Sequence, residues 1–448
     1  MRSLHRVSHW VISSLLLAGC SETPPSNGGD AAVSADIVAT DAPVTDVVAT
    51  DAPATDASVT DVVATDAPAT DAVTADVHDG GDTPCSLGRV LVTTSDFMSG
   101  GYALGARSGM PGLMTVGGMA PDQDHVPVQS GCVVYNLLRG NDVLAVLDSG
   151  NLPSVARRIP LRGQIADAGA GPYQVNPYDV LTLSPTKAYV VQFALPRIAI
   201  VDPTRDGAAG VTGGIDLAPL RSPMDTDASG SPEPSRILRV GDRAFVALAN
   251  LSAFAPVANG TLAVIDTTTD RLVDTDAMTP GVQGVTLGAR NPASMTLTPD
   301  GARIVVSAVG VQAFSPPQTL DGAIEAIDAM TLRPTGMRIP EMQFGGDLGA
   351  VVMLDASRGW VVVSRLASDA GAGDERIVEF DLAAGTVGRT VFTAGSIAAL
   401  ARDPDGNVWA IDRTPGSAAV RVFAPDGTQR TPALTTGALP PYGLAFVP

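Results

Sequence analysis

The chain has 448 residues and a formal net charge of −19, with 17% charged and 4% aromatic residues, 47 Gly and 35 Pro. Nucleic-acid binding needs a stripe of cations to meet phosphates, and no such stripe exists here, so that class is set aside. No 3.6-residue apolar period is sustained, whereas short β-prone runs alternate with turn residues throughout, which points to an all-β chain rather than α/β.

Residues 1–20 read as an export signal. Arg2, His5 and Arg6 form a basic start, and Trp10–Leu17 an apolar run far short of the ~20 residues a membrane-spanning helix requires. Leu17-Ala18-Gly19-Cys20 resembles the lipobox of bacterial lipoprotein signals. That resemblance implies Cys20 as the lipidated mature N-terminus, held in a membrane by several acyl chains at ~0.8 kcal/mol per buried CH₂. Ser21 in place of Asp leans the expectation toward the outer membrane, with the folded part in the periplasm or at the cell surface.

Residues 21–83 hold thirteen acids and no Lys or Arg, leaving −6 on the remainder of the chain. Asp recurs every five residues from Asp36 to Asp76, and Val47–Asp61 nearly repeats as Val62–Asp76. A five-residue period suits neither helix nor strand, the like charges repel, and few side chains could fill a core. The segment is expected to be a disordered acidic tether, reaching on the order of 200 Å when fully stretched.

From residue 84 to 448 the sequence reads as repeated strand–turn–strand units. The clearest is Met295-Thr-Leu297, a Pro299-Asp300-Gly301 turn, Ile304-Val-Val-Ser307, then Ile324-Glu-Ala-Ile327 closed by Asp328. Closing Asp residues recur at 148, 202, 266, 328 and 381, spaced by about 53 to 64 residues, the size of four-strand blades with long loops. Seven units are counted, with six or eight left open because the first is ragged and the second shows no clear first strand. Tyr442–Val447 resembles an innermost strand while Arg89 begins on a second strand, so the two ends should complete one blade and close a β-propeller. Leu297-Thr-Pro-Asp-Gly-Ala-Arg-Ile-Val-Val followed by a strand ending Ile-Asp resembles the YVTN-type, WD-like propeller repeat. Together with the lipobox and tether, the order of segments is similar to that of bacterial surface lipoproteins bearing this propeller.

The recurrent Asp residues are expected to cap turns, where Asp bonds backbone two residues on. Cys85 and Cys132 are the thiols left beside Cys20; in an oxidising compartment they are expected to pair, closing a loop worth about 4 kcal/mol in the entropic model. His125 is the one histidine beyond the tether and Lys187 the sole lysine, which disfavours a multi-His metal centre, a Ser-His-Asp triad and Schiff-base chemistry. Three Trp (Trp10, Trp360, Trp409) leave no repeated tryptophan docking pattern for a quinone cofactor.

Asp225, Asp227, Ser229 and Glu233 have the D-x-D-x-S-G opening of a calcium loop, but Arg236 stands where the twelfth-position Glu belongs, so Ca²⁺ is a weaker expectation than a solvated loop. Asp369–Glu375 is a looser acidic loop. By position, loops leading into the innermost strands offer Asn176, Tyr178, Asp179, Glu233, Arg236, Asn291, Asp347 and Tyr442 to the propeller funnel. The function expected is a lipid-anchored cell-envelope module binding a protein or glycan. The alternative is a divalent-metal lactonase or hydrolase with carboxylate ligands in the funnel. The anchor has a direct check: Cys20→Ala should abolish metabolic labelling by a fatty-acid probe, and unchanged labelling would refute it.

Overall fold

Runs of Val, Ile, Leu and Ala bounded by Gly, Pro, Asn and Asp pair as antiparallel meanders of three to five strands, and seven of these blades form the described part of the computed structural model. Residues 85–107, 112–164, 174–367 and 373–448 are described. The export signal with Cys20, the 21–83 tether and most of the 369–375 loop lie outside them.

The first blade is built from both ends of the domain. Its innermost strand is Pro441–Val447, followed outward by Arg89–Ser95, Gly100–Ala106 and Met114–Val116. Arg89 pairs with Val447 and Leu91 with Ala445, and the Arg89 Nε donates to the Pro448 carbonyl at 2.6 Å. The innermost strands of the second to seventh blades are His125–Ser130, Pro177–Ser184, Pro234–Val240, Pro292–Leu297, Asp347–Met353 and Ile397–Arg402. The count of seven is therefore met. The second blade's inner strand escaped the sequence pattern because HVPVQS alternates apolar with polar residues around Pro127. An inner strand is one edge of its blade, where a missing N–H is tolerated. The outer strand is weakest in two blades. In the fourth it is split into Arg271–Leu272 and Val285–Thr286, and in the seventh it is reduced to bridges at Gln429 and Leu434.

The core lies between blades. Seven buried clusters fill the seven blade-to-blade interfaces, from Leu91, Leu138 and Leu147 between the first and second round to Val92, Trp409, Val420 and Phe446 between the seventh and first. Each strand thus has both faces covered, which explains why the middle strands read as unbroken apolar runs instead of alternating ones.

Meander topology gives the ring two unlike faces. The lower one carries the hairpins joining first to second and third to fourth strands. There Asp148 accepts the Gly150 amide at 3.0 Å, Asp202 that of Thr204 at 3.0 Å, Asp266 that of Thr268 at 2.8 Å, Asp328 that of Thr331 at 2.7 Å and Asp381 that of Ala384 at 3.0 Å. These are turn caps. The upper face carries the loops between blades and those joining second to third strands. Cys85, just before the first-blade strand, is bonded to Cys132 in the second blade's lower hairpin, with Cα atoms 5.6 Å apart. It ties the chain's first strand to the neighbouring blade. Replacing both by Ser should lower unfolding free energy by about 4 kcal/mol, read as a fall in the urea midpoint; an unchanged midpoint would mean that strand pairing alone holds the first blade.

Candidate functional site

The upper mouth of the funnel is shaped by a repeated irregularity. Six of the seven innermost strands carry a register shift near their upper end, placed at Tyr442, Tyr178, Ser235, Ala293, Ala398 and between Leu348 and Val351. A bulge re-aims the unpaired side chain, and at Tyr178 and Tyr442 it turns an aromatic ring toward the mouth. In three blades a proline starts the strand and the residue before it is left-handed: Asn176 (φ 49°), Glu233 (φ 50°) and Asn291 (φ 56°). Their carbonyls accept the amides of Phe193, Ala249 and Val309 at 3.1, 3.2 and 3.0 Å. Asn176, Glu233 and Asn291 therefore share a structural duty, turning the chain into the inner strand.

Tyr178, Arg236 and Tyr442 do come together, through residues the sequence reading did not name. The Arg139 guanidinium carbon lies 5.2 Å from the Tyr178 ring centre and 5.9 Å from that of Tyr442. Arg236 sits 5.0 Å from the Tyr178 ring on the next blade, and Phe193 stacks on Tyr178 at 5.1 Å. On the other side Arg413 lies 4.9 Å from Tyr442 and 4.7 Å from Phe97, whose ring meets Tyr442 edge-on at 5.5 Å. Cations and rings thus alternate, from Phe97 and Arg413 through Tyr442, Arg139 and Tyr178 to Arg236. Cation–π contacts gain strength when desolvated, and Arg139 is 2% and Arg236 5% exposed. Asp124 accepts from Arg139 Nε at 2.8 Å and from the Tyr442 hydroxyl at 3.0 Å, fixing both. Arg139, Arg413 and Phe97 are not in the loops that enter the innermost strands, so position relative to those strands does not reveal them. All three lie just beyond second strands (Leu138, Asp412, Ser95), an equally mouth-facing position.

The remaining candidates lie apart from this row, and Asp347 keeps one buried oxygen, Oδ1, unbonded among the described residues. Asp179 accepts the amides of Val180 at 2.8 Å and Ile237 at 3.0 Å, joining the third blade to the fourth. Asp347 accepts the Ala313 amide at 3.0 Å, and burial pushes its carboxyl above the usual range. His125 is sealed under Tyr102, accepting from Asn136 and donating to the Thr94 carbonyl; burial pushes its pKa down to about 4, so it stays neutral.

The calcium-loop expectation is not matched by the geometry. Asp225 is paired with Arg221 at 2.6 Å and accepts the Asp227 amide at 2.9 Å. Asp227 accepts from Ser252 Oγ and the Ala253 amide, both at 3.0 Å; Ser229 accepts the Ser231 amide; Glu233 accepts the Leu251 amide at 2.7 Å. Asp225, Asp227, Ser229 and one oxygen of Glu233 thus each meet a donor of the protein. Among the described residues no three His, Cys, Asp or Glu side chains are gathered as a metal ion would need.

Burial, aided by the charges of Asp225 and Asp227, pushes Glu233 up to about 9. Its folded value lies above the unfolded one, so the contribution to stability is complete below about 4.5 and is lost progressively as pH rises toward 9. Glu233→Gln keeps an acceptor for Leu251 and removes the titration. Its melting temperature should match the parent's near pH 4.5 and exceed it by roughly a few degrees at pH 8.5; parallel curves would place the Glu233 carboxyl in water.

No family model and no curated protein matches the chain. Among solved structures it is similar to a Bacteroides fragilis NCTC 9343 protein provisionally named a 6-phosphogluconolactonase, with TM-score 0.52 and 11% identity over 82% of this chain and 100% of that one. A streptogramin B lyase (TM-score 0.44, 13% identity, 73% and 92% covered) and BamB from Moraxella catarrhalis (TM-score 0.41, 14% identity, 73% and 80% covered) are further matches. At these identities the likeness is one of fold, and the chain is a seven-bladed β-propeller.

Proposed function

We propose that the protein is a lipid-anchored cell-envelope module whose propeller docks another envelope protein on its upper face. In this reading Cys20 carries the anchor, residues 21–83 are the spacer, and the 84–448 propeller is held away from the membrane, outer-membrane attachment being favoured.

The observation that carries the proposal is where the exposed apolar side chains lie. Of ten large hydrophobic residues exposed among the described residues, seven sit in upper-face loops: Phe97, Met98, Met119, Met224, Phe254, Phe314 and Met342. Met114 and Met278 lie on the outer rim and Met330 alone on the lower face. Met and aromatic residues are enriched at protein interfaces, and here they gather in the loops of one face. This composition supports a protein partner over a glycan, whose hydroxyls would need polar partners. The metal-dependent lactonase alternative is less favoured, since among the described residues no three carboxylates converge and those of Asp124, Asp179, Asp225 and Glu233 bond amides or arginines.

A photo-crosslinking residue placed singly at Phe254, Phe314 and Met330 of the full chain, in its own envelope, tests the reading. Protein adducts are expected from positions 254 and 314 and none from 330. Equal adducts from all three, or none from the upper face, would overturn it, and polysaccharide adducts would move the reading to the glycan partner.

A further inference from the structure

We infer that Arg413, held between Phe97 and Tyr442, is a carboxylate-recognition point, and that the docked partner presents there its chain-terminal carboxylate beside an apolar side chain. The inference rests on the docking reading above and specifies one contact within it.

Arg413 follows the seventh blade's second strand and leans over the mouth toward the first blade. It donates one N–H to the Ser95 carbonyl at 2.9 Å, which fixes the guanidinium plane. No carboxylate of the described residues pairs with it, unlike Arg139, Arg221, Arg290 and Arg421, each within ion-pair distance of an acid. Asp96, whose charge it feels, is engaged by the amides of Met98 and Ser99 at 2.9 and 2.7 Å. A guanidinium has five N–H donors in a fixed fork that matches a carboxylate, and none of those left on Arg413 is sealed from solvent. A half-buried cation with unused donors can receive both oxygens of a carboxylate. Asp96, itself negative and nearby, repels a doubly charged phosphate more than a singly charged carboxylate.

The second part of the site is Phe97. Its ring is 46% exposed and its backbone is left-handed at φ 65°, a conformation bulky residues avoid. That conformation is over-determined locally: Ser95 Oγ accepts the Phe97 amide at 3.0 Å and donates to the Gln123 carbonyl at 2.5 Å. Strain of this kind gathers at ligand clamps. Here it holds an apolar ring over Arg413, so an incoming group meets a flat apolar wall and a cation at once.

The test uses the full chain in detergent with ¹³C-methyl methionine, reading the Met98 methyl signal next to Phe97. The probes are N-acetyl-phenylalanine and its uncharged amide. The acid should shift Met98 at a tenfold or lower concentration than the amide. Arg413→Gln should erase that preference, Arg413→Lys should retain part of it, and Phe97→Ala should weaken both probes. Equal response to acid and amide in the parent chain, or a preference surviving in Arg413→Gln, would overturn the inference; should Arg413→Gln fail to fold, the parent comparison and Phe97→Ala still decide. Failure here with crosslinks intact at 254 and 314 would leave docking standing without its carboxylate contact. Loss of both would remove docking as well.

Discussion

The structure depends on one pairing, that of Pro441–Val447 with Arg89–Ser95. Without it the first blade lacks its innermost strand, two blades expose open edges, and the apolar cluster between seventh and first blades loses Leu444 and Phe446. Residues more than 300 apart in sequence must meet, so the chain bears a large loop-closure cost before the contact is rewarded. The disulfide from Cys85 to Cys132, the Arg89 contact with the C-terminal carbonyl and the Ser95 bond to Pro440 all gather at this seam. The supports are concentrated where the ring would otherwise open.

Closure also separates the two faces. The lower face is built of Asp-capped hairpins whose side chains are consumed by their own turns. On the upper face stand most of the left-handed non-glycine residues, including Phe97, Asn176, Glu233, Asn250, Phe254 and Asn291, along with most of the exposed Met and Phe. A rigid ring tolerates such local cost because seven interlocked interfaces fix the strand ends from which the loops spring. The mouth residues are accordingly held in place: Asp124 anchors Arg139 and Tyr442, Asp179 spans two blades, and Asp142 accepts the amides of Val175 and Asn176 at 2.9 and 3.0 Å.

Much of this was legible in the residues. The turn signatures, the spacing of strand-closing Asp residues and the resemblance of Tyr442–Val447 to an inner strand are local patterns, so closure could be read, and a count of seven with six or eight left open. The second blade's first strand was not, because Pro127, His125 and Gln129 disguise a strand whose burial comes from its neighbours. The partners of the D-x-D-x-S-G loop were hidden for a related reason. Spacing alone places four oxygens within a dozen residues, but Arg221, Ser252 and Leu251 reach them first, and those donors arrive from outside the motif.

Sequence by itself determined the periodic parts: strands, turns, the blade repeat and the composition of residues 21–83. These follow from short-range propensity and from patterns that repeat along the chain. Tertiary structure alone decided which mouth residues act together. Phe97, Arg139, Tyr178, Arg236, Arg413 and Tyr442 come from five blades, and their alternation of ring and cation exists only once the ring is closed. Whether an acid serves as ligand, ion-pair partner or amide acceptor was likewise settled by what the fold brings beside it, since a carboxylate takes the nearest donor whatever its place in the sequence.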